Sequence, residues 1–217
     1  MNTERVLREV LVPAFGETIY MVFFGTLFSV LLGCALAIIL VLTSPDGLSP
    51  NRAIYRLFDG AINILRAFPF IIFAIAIMPV TRLIMGTIVG KKAALFPLVL
   101  VAAPFVGRII ETDLKAVDPG IVEAAKSLGA TNRQIIFQVM FVEAFPSICR
   151  NITMVTVEIL GGSAVAGTLG AGGLGSVAII YGYQSFNDFV MYGTVAIMAL
   201  MVFGIQKTGD KLYTKLK

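Results

Sequence analysis

One stretch near the start of the chain limits the possible folds more than any other feature. From Thr18 to Pro45 no charged residue occurs, and Ile19 to Leu42 is 24 residues of mostly apolar side chains. At a rise of about 1.5 Å per residue, a helix of this length crosses a hydrocarbon layer of about 30 Å. The sequence therefore predicts a membrane-spanning helix, which we place at residues 18–44.

The composition shows that this stretch is not an isolated apolar segment. Of 217 residues, 58% are hydrophobic and 14% are charged, whereas soluble domains carry about 25% charged residues. So much apolar surface must face lipid or partner chains. The chain has no histidine, which excludes a Ser-His-Asp triad and histidine metal sites. We expect no catalytic residues and no metal site.

Four more apolar stretches predict an all-α, polytopic membrane protein in which residues 1–217 form a single transmembrane domain. After the first span at 18–44, the predicted spans are residues 60–80, 93–107, 147–169 and 189–205. Five spans place the two termini on opposite sides. One side carries 12 Lys and Arg residues and the other carries 5. Because basic residues accumulate on the cytoplasmic side, the N-terminus is predicted outside and the C-terminus in the cytoplasm.

The connection between the third and fourth spans, residues 108–146, is the longest and lies on the predicted cytoplasmic side. Asp118 followed by Pro119 is typical of a helix N-cap with proline at the first helical position. Gly129 is typical of a residue that follows a helix C-terminus. A short helix is therefore predicted over residues 119–128.

A second short helix is predicted after the glycine, because Thr131 and Gln134 have the spacing of a capping box. Two short helices at a tight turn form a convex knob that another protein can grip, or an interfacial pair lying on lipid headgroups. The spacing alone leaves both readings open. A DNA-binding helix-turn-helix shares the pattern, but a unit held between two membrane spans cannot enter a DNA groove. We therefore expect no nucleic acid partner.

Several motifs resemble a known family. Glu123-Ala124-Ala125, followed after three residues by Gly129, is similar to the EAA-loop signature of binding-protein-dependent ABC importer permeases. Further stretches resemble, in order, the methionine importers of that family: Arg66-Ala67-Phe68-Pro69-Phe70, Pro79-Val80-Thr81-Arg82, Ala102-Ala103-Pro104-Phe105 and Gly170-Ala171-Gly172-Gly173-Leu174-Gly175. The family signature usually ends in Ile-x-Leu-Pro, whereas this chain has Val139-Met140-Phe141-Val142 and no proline before Pro146.

The resemblance implies a type I ABC importer fold with five transmembrane helices and a cytoplasmic coupling-helix loop between helices 3 and 4. It implies a permease subunit that moves methionine by alternating access, in the L form and with the D form left open. The expected location is the bacterial cytoplasmic (inner) membrane, in contact with membrane lipid. The implied assembly is a homodimer with two copies of a cytoplasmic ABC ATPase subunit and an extracytoplasmic substrate-binding (lipo)protein.

The resemblance also implies how work is divided among the subunits. This chain would not be an enzyme and would bind no cofactor, because ATP and Mg would be held by the partner ATPase. The residues implied to contact that ATPase are Glu123, Ala124, Ala125, Lys126, Leu128 and Gly129.

A glycine pattern follows the fourth predicted span. Gly170, Gly172 and Gly175 match the dinucleotide-binding fingerprint in spacing, but that fingerprint follows a strand, whereas an apolar span precedes them here. Small residues four apart let helices touch backbone to backbone. The sequence therefore predicts close helix packing, near a subunit interface or a gate, for Gly162, Ser163, Ala166, Gly167, Gly170, Ala171 and Gly175.

Glu158 is the only acid that the hydropathy places well inside a span, where a charge costs about 2.5 to 3.5 kcal/mol. Three readings stay open: contact with a substrate ammonium or an ion in the transport path, a structural partner for an arginine or for Thr156, or a protonated acid. Two other function classes also stay open. One is an ion-gradient-driven secondary transporter with Glu158 as carrier, and the other is a non-transporting membrane scaffold.

Overall fold

The computed structural model describes residues 6–216, with side chains from Glu9 onward. Arg5 and Lys217, two of the charges counted for the topology, lie outside the described residues. All regular elements in the described part are helical. In chain order they are a π-helical turn Val6–Leu11, α1 Val12–Thr43, α2 Arg52–Ala67, α3 Phe70–Ala76, α4 Met78–Met85, α5 Lys91–Lys115, α6 Pro119–Ser127, α7 Asn132–Ala171, α8 Gly173–Val177 with a π-helical continuation Ala178–Gln184, and α9 Asp188–Leu216.

Four of these helices, α1, α5, α7 and α9, are long and apolar enough to cross a membrane. The pair α2 and α3 also qualifies by length and composition, but the two helices meet at an angle of 105°. The prediction of an all-α polytopic chain is therefore confirmed, with four spans or five if the bent pair counts as one.

The predicted second span, residues 60–80, is not one straight helix. Phe68 has an extended backbone with φ −85° and ψ 133°, as expected for a residue before proline, whose ring disfavours the helical conformation of its predecessor. Pro69 then precedes α3. The apolar pattern indicates only that this segment is long enough to span a membrane, and it carries no information on the bend at Phe68.

The connection predicted at residues 108–146 is shorter than expected, and its second short helix does not exist as a separate element. Helix α5 continues to Lys115, and the helix that begins at Asn132 runs on to Ala171. It passes through a π-helical stretch, Ile135–Met140. The reason is that no glycine or proline interrupts the chain before Pro146, which the long helix accommodates in its interior.

Helices α1 and α5 lie in backbone contact. A Cβ atom added to Gly33 would lie 3.0 Å from the backbone nitrogen of Gly107, and one added to Gly107 would lie 3.3 Å from the backbone oxygen of Gly33. Small residues permit this approach between membrane helices. Near one end of this pair lies the largest core cluster, which α7 completes. Its members include Ala37, Val41, Val106, Ile110, Leu114, Ile135, Ile136 and Met140.

Candidate coupling surface and glycine turn

Side-chain caps start α6 and α7 at the predicted residues. Asp118 Oδ1 accepts a hydrogen bond of 2.8 Å from the backbone N–H of Gly120, and Pro119 opens the helix. Thr131 forms the complete capping box: its backbone N–H donates to Gln134 Oε1 at 2.9 Å, and the Gln134 N–H donates to Thr131 Oγ1 at 3.4 Å. Both caps satisfy amides that lack a partner inside the helix.

The end of α6 is a backbone motif built on glycine. The N–H of Gly129 donates to the carbonyl of Lys126 at 2.9 Å, and the N–H of Ala130 donates to that of Ala125 at 3.1 Å. This is the Schellman arrangement. Gly129 has φ +82°, a conformation that costs glycine little. The helix ends at Ser127, one residue before the predicted end.

Helix α6 turns most of the motif residues outward. None of its residues is buried, and Val122 and Ala125 are the ones that pack against the core cluster. Leu128 is 89% exposed and Ile121 is 42% exposed. The other exposed motif residues are Glu123, Ala124, Lys126 and Gly129. Leu128 and Ile121 thus form an exposed apolar patch with charged neighbours, while Val122 and Ala125 hold the helix against the core. Exposed apolar patches rimmed by polar residues are typical of interaction surfaces.

A buried charge network fixes the end of α5 that leads into α6. Glu111 is 2% exposed. It accepts hydrogen bonds from Arg108 at 2.8 Å and from Lys115 at 2.7 Å, and Arg108 also pairs with Asp59 of α2. Because a buried charge without partners is strongly destabilising, this network ties α2 to α5. The sequence prediction omitted it, although three- and four-residue spacings between opposite charges were a signal.

Three longer-range hydrogen bonds hold the helices on either side of α6. Asn151 of α7 donates to both carboxylate oxygens of Asp113 on α5, at 2.8 and 3.0 Å. Asn132, in the first turn of α7, donates to the backbone carbonyl of Leu48 at 3.2 Å. These bonds connect α7 with α5 and with the loop before α2, so the two helices that flank α6 are held together.

The second site is the segment 167–175, called here the glycine turn, which comprises the last residues of α7, the break at Gly170 and Gly172, and the first residues of α8. Gly170, Gly172 and Gly173 have φ values of +90°, +80° and +76°, in the left-handed region that other residues avoid. The carbonyl of Gly170 accepts a hydrogen bond of 2.9 Å from the N–H of Gly90. This hydrogen bond ties the glycine turn to Gly90, the residue just before α5.

Helix α1 satisfies the amides of the glycine turn. Glu17 Oε2 accepts a hydrogen bond of 2.8 Å from the N–H of Gly173, and Thr18 Oγ1 accepts one of 2.9 Å from the N–H of Leu174. A Cβ atom on Gly172 would overlap the Glu17 carboxylate. The sequence prediction missed Glu17, because its partner lies 156 positions away.

The small residues of this region lie at tight contacts within the chain. A Cβ atom on Gly175 would overlap the backbone of Ala164, and one on Gly167 would lie 2.5 Å from the backbone nitrogen of Ser176. Helix α8 therefore packs directly on α7. Of the other predicted packing residues, Ser163, Ala166 and Ala171 are buried, Gly162 is half-buried and faces Leu98 of α5, and Gly170 is exposed.

Glu158 lies on the exposed side of α7. The hydroxyl of Thr156 donates to the carbonyl of Ile152 at 2.8 Å, so Thr156 is not the partner of Glu158. Arg66 lies close enough to act on Glu158 electrostatically. Between residues 6 and 216 no cluster of three or more metal-ligating side chains occurs.

The chain is similar to known transport proteins over most of its length. The family model described as "Binding-protein-dependent transport system inner membrane component" matches residues 29–214. A Vibrio cholerae protein, named a probable D-methionine transport system permease protein MetI, is 42% identical over 208 residues, which is 96% of this chain and 92% of that protein. The Bacillus subtilis methionine import system permease protein MetP is 41% identical over 172 residues, which is 79% of this chain and 78% of that protein.

Among solved structures, an inward-facing conformation of the MetNI methionine ABC transporter contains a chain that matches this one with a TM-score of 0.96. The two are 34% identical, and the match covers 100% of both chains.

Proposed function

Because the chain belongs to the family of binding-protein-dependent transport system inner membrane components, we propose that it is the permease subunit of an ATP-driven importer that moves methionine across the cytoplasmic membrane. The observation that carries this proposal is the full-length match to a chain of the MetNI methionine ABC transporter. The V. cholerae and B. subtilis relatives are named for the same cargo. These similarities favour neither an ion-gradient-driven transporter nor a non-transporting scaffold.

The proposed assembly contains two copies of this chain, two cytoplasmic ATPase subunits that hold ATP and Mg, and an extracytoplasmic binding protein that delivers methionine. Four or five spans can hardly enclose a gated path, which supports a homodimer with the path on its twofold axis. The distribution of Lys and Arg supports an N-terminus outside and a C-terminus in the cytoplasm.

The proposed contact with the ATPase is the exposed surface of α6 and its turn. Leu128, at 89% exposure, would be the apolar anchor, and Ala124 lets the two proteins approach closely. Glu123 and Lys126 would pair with charges at the rim of the cleft. Ala125 and Gly129 hold the shape, since one packs on the core and the other reverses the chain.

In the proposed cycle, ATP binding draws the two α6 surfaces together and favours an outward-open arrangement, and hydrolysis restores the inward-open one. ATP can shift this equilibrium only by the difference between its affinities for the two arrangements. The packing residues of α7 and the glycine turn would keep the outer end of each protomer rigid near the gate.

Reconstitution of the chain with its ATPase and binding protein in liposomes tests the proposal. We expect methionine uptake that requires ATP and persists when ion gradients are collapsed by ionophores. Uptake that continues without ATP and stops with the ionophore would support the gradient-driven transporter. No uptake under any condition would support the scaffold.

The orientation has a separate test. In the chain expressed without its ATPase, a cysteine introduced at Leu128, in a background in which Cys34 and Cys149 are replaced by alanine, should react with a membrane-impermeant maleimide only after the membrane is opened. A cysteine at Phe186, which is 91% exposed in the turn before α9, should react in intact cells. The opposite pattern would reverse the proposed topology.

A further inference from the structure

Two contacts fix how α5 and α7 lie against each other. Leu98 Cδ2 is 3.0 Å from the position of a Cβ atom on Gly162, and Asn151 Nδ2 is 2.8 Å from Asp113 Oδ2. Residue numbers rise along one helix as they fall along the other, so the two helices are antiparallel. Between these contacts, Phe105 on α5 and Glu158 on α7 lie within about one helical turn of the same level.

Arg66 reaches the same level from the bent pair α2 and α3. It is the residue two positions before the break, and its guanidinium carbon lies 5.5 Å from the centroid of the Phe105 ring. An arginine at this distance over an aromatic face is held by a cation–π interaction. Arg66 and Glu158 are therefore at a similar depth, and Arg66 is close enough to act on Glu158 electrostatically.

Glu158 lies on a continuous exposed stripe of α7. The stripe consists of Met154, Glu158, Gly161, Val165 and Thr168, whose spacings of three and four residues place them on one helical face. Met154 is 65% exposed. Since a charge facing lipid in mid-membrane is costly, such a residue faces protein or a water-filled path. This stripe is thus not a lipid-facing surface.

The two charges are near each other but not paired. Among the side chains that the structure describes, Glu158 and Arg66 form no hydrogen bond or ion pair with each other or with another group. The candidate site therefore consists of the Arg66 guanidinium on the Phe105 ring and the nearby Glu158 carboxylate. The thioether side chain of Met154 lies one helical turn from Glu158. A ligand that complements it carries both charges and an apolar group.

We propose that Arg66 and Glu158 bind the two charged groups of a zwitterionic amino acid in the transport path, with Phe105 and Met154 beside its apolar side chain. The carboxylate of the cargo accepts hydrogen bonds from the Arg66 guanidinium, and its ammonium donates to the Glu158 carboxylate. An amino acid leaving water loses hydration at both charges, and fixed charges of opposite sign offset that loss. This inference rests on the proposed function, because it takes the cargo to be an amino acid.

Neutral variants of the two residues test the site. Glu158→Gln and Arg66→Gln should each lower ATP-dependent methionine uptake in liposomes at least tenfold, and Glu158→Asp should lose less. Glu143→Gln on α7 and Arg56→Gln on α2 are matched controls, because both residues are exposed and lie on the same two helices. Uptake by the controls should stay within twofold of wild type. Co-purification of each variant with the ATPase shows that the chain has folded.

Cargo analogues test which charge each residue binds. In the purified complex without binding protein, radiolabelled methionine should be displaced poorly by N-acetylmethionine, which lacks the ammonium, and by methionine amide, which lacks the carboxylate. Glu158→Gln should remove most of the disadvantage of N-acetylmethionine, and Arg66→Gln most of that of methionine amide. Unchanged discrimination in both variants would overturn the proposal.

Two further outcomes separate this inference from its alternatives. If the double variant Arg66→Gln with Glu158→Gln regains wild-type uptake, the two residues only balance each other's charge, and the proposal is wrong. Wild-type uptake by both single variants would also refute it while leaving the methionine importer intact. Absence of uptake by the unmodified complex would instead refute the proposed function.

Discussion

The turn after α6 and the glycine turn both depend on glycine with positive φ, but for different reasons. At Gly129 an added Cβ atom would meet nothing within 4 Å, so this position needs glycine only for its backbone conformation. At Gly172 and Gly173 a side chain would also run into Glu17 and Thr18 of α1. The space around the first turn is open, whereas at Gly172 and Gly173 the second turn is filled by side chains of α1.

The largest effect on folding is expected in the glycine turn, where Gly175 of α8 lies against Ala164 of α7. Gly175→Val would drive side-chain atoms into the backbone of Ala164, and overpacking costs about 1 to 3 kcal/mol, with the high end expected where backbone is the obstacle. The yield of monodisperse protein on size-exclusion chromatography should fall sharply. Gly161→Ala on α7, where nothing lies within 4 Å, is the control. Normal yield of Gly175→Val would show that the contact between α7 and α8 is looser than described.

A large effect on assembly with the ATPase, without an effect on folding, is expected at the exposed turn after α6. Leu128→Asp removes the proposed apolar anchor at the end of α6, and the loss of such an anchor costs about 2 to 4 kcal/mol of binding. The ATPase should no longer co-elute with the chain, whereas the thermal unfolding midpoint of the chain stays unchanged. Ser185→Asp introduces the same charge before α9 and should retain the ATPase. Retention of the ATPase by Leu128→Asp would remove α6 as the docking surface.

An intermediate effect is expected where α1 holds the glycine turn. Glu17→Ala leaves the N–H of Gly173 without its acceptor, which costs about 1 to 3 kcal/mol. The unfolding midpoint of the purified complex should fall. In the Glu17→Ala background, Gly172→Ala should be less harmful than in wild type, because the overlapping carboxylate is gone. Strict additivity of the two changes would contradict the described contact.

The smallest effect on stability is expected at Gly129, in the turn after α6. Gly129→Ala places a Cβ atom in free space but keeps φ positive, which costs about 1 kcal/mol. The unfolding midpoint should fall slightly, and binding of the ATPase should remain measurable by co-elution. A loss as large as that of Leu128→Asp would show that the partner protein contacts the backbone at this glycine.

Local patterns in the sequence predicted the local features of both regions. The side chains of Asp118 and Thr131 start helices where expected, and Gly129 ends one, because caps depend on residues a few positions apart. The second short helix was wrong, since a capping box marks a start but carries no information on length. The contact of Glu17 with Gly173 and the Arg108–Asp59 pair join distant parts of the chain, and no local pattern encodes them.

Helix α7 begins three residues after Gly129 and ends inside the glycine turn. Its regular α-helical part, Phe141–Ala166, has 26 residues, about 39 Å at the α-helical rise, which already exceeds the hydrocarbon layer of about 30 Å, and π-helical stretches extend it at both ends. This one helix thus connects the turn at Gly129 with the glycine turn. A tilt of this helix imposed near Thr131 would therefore also displace its other end, where the glycine turn begins.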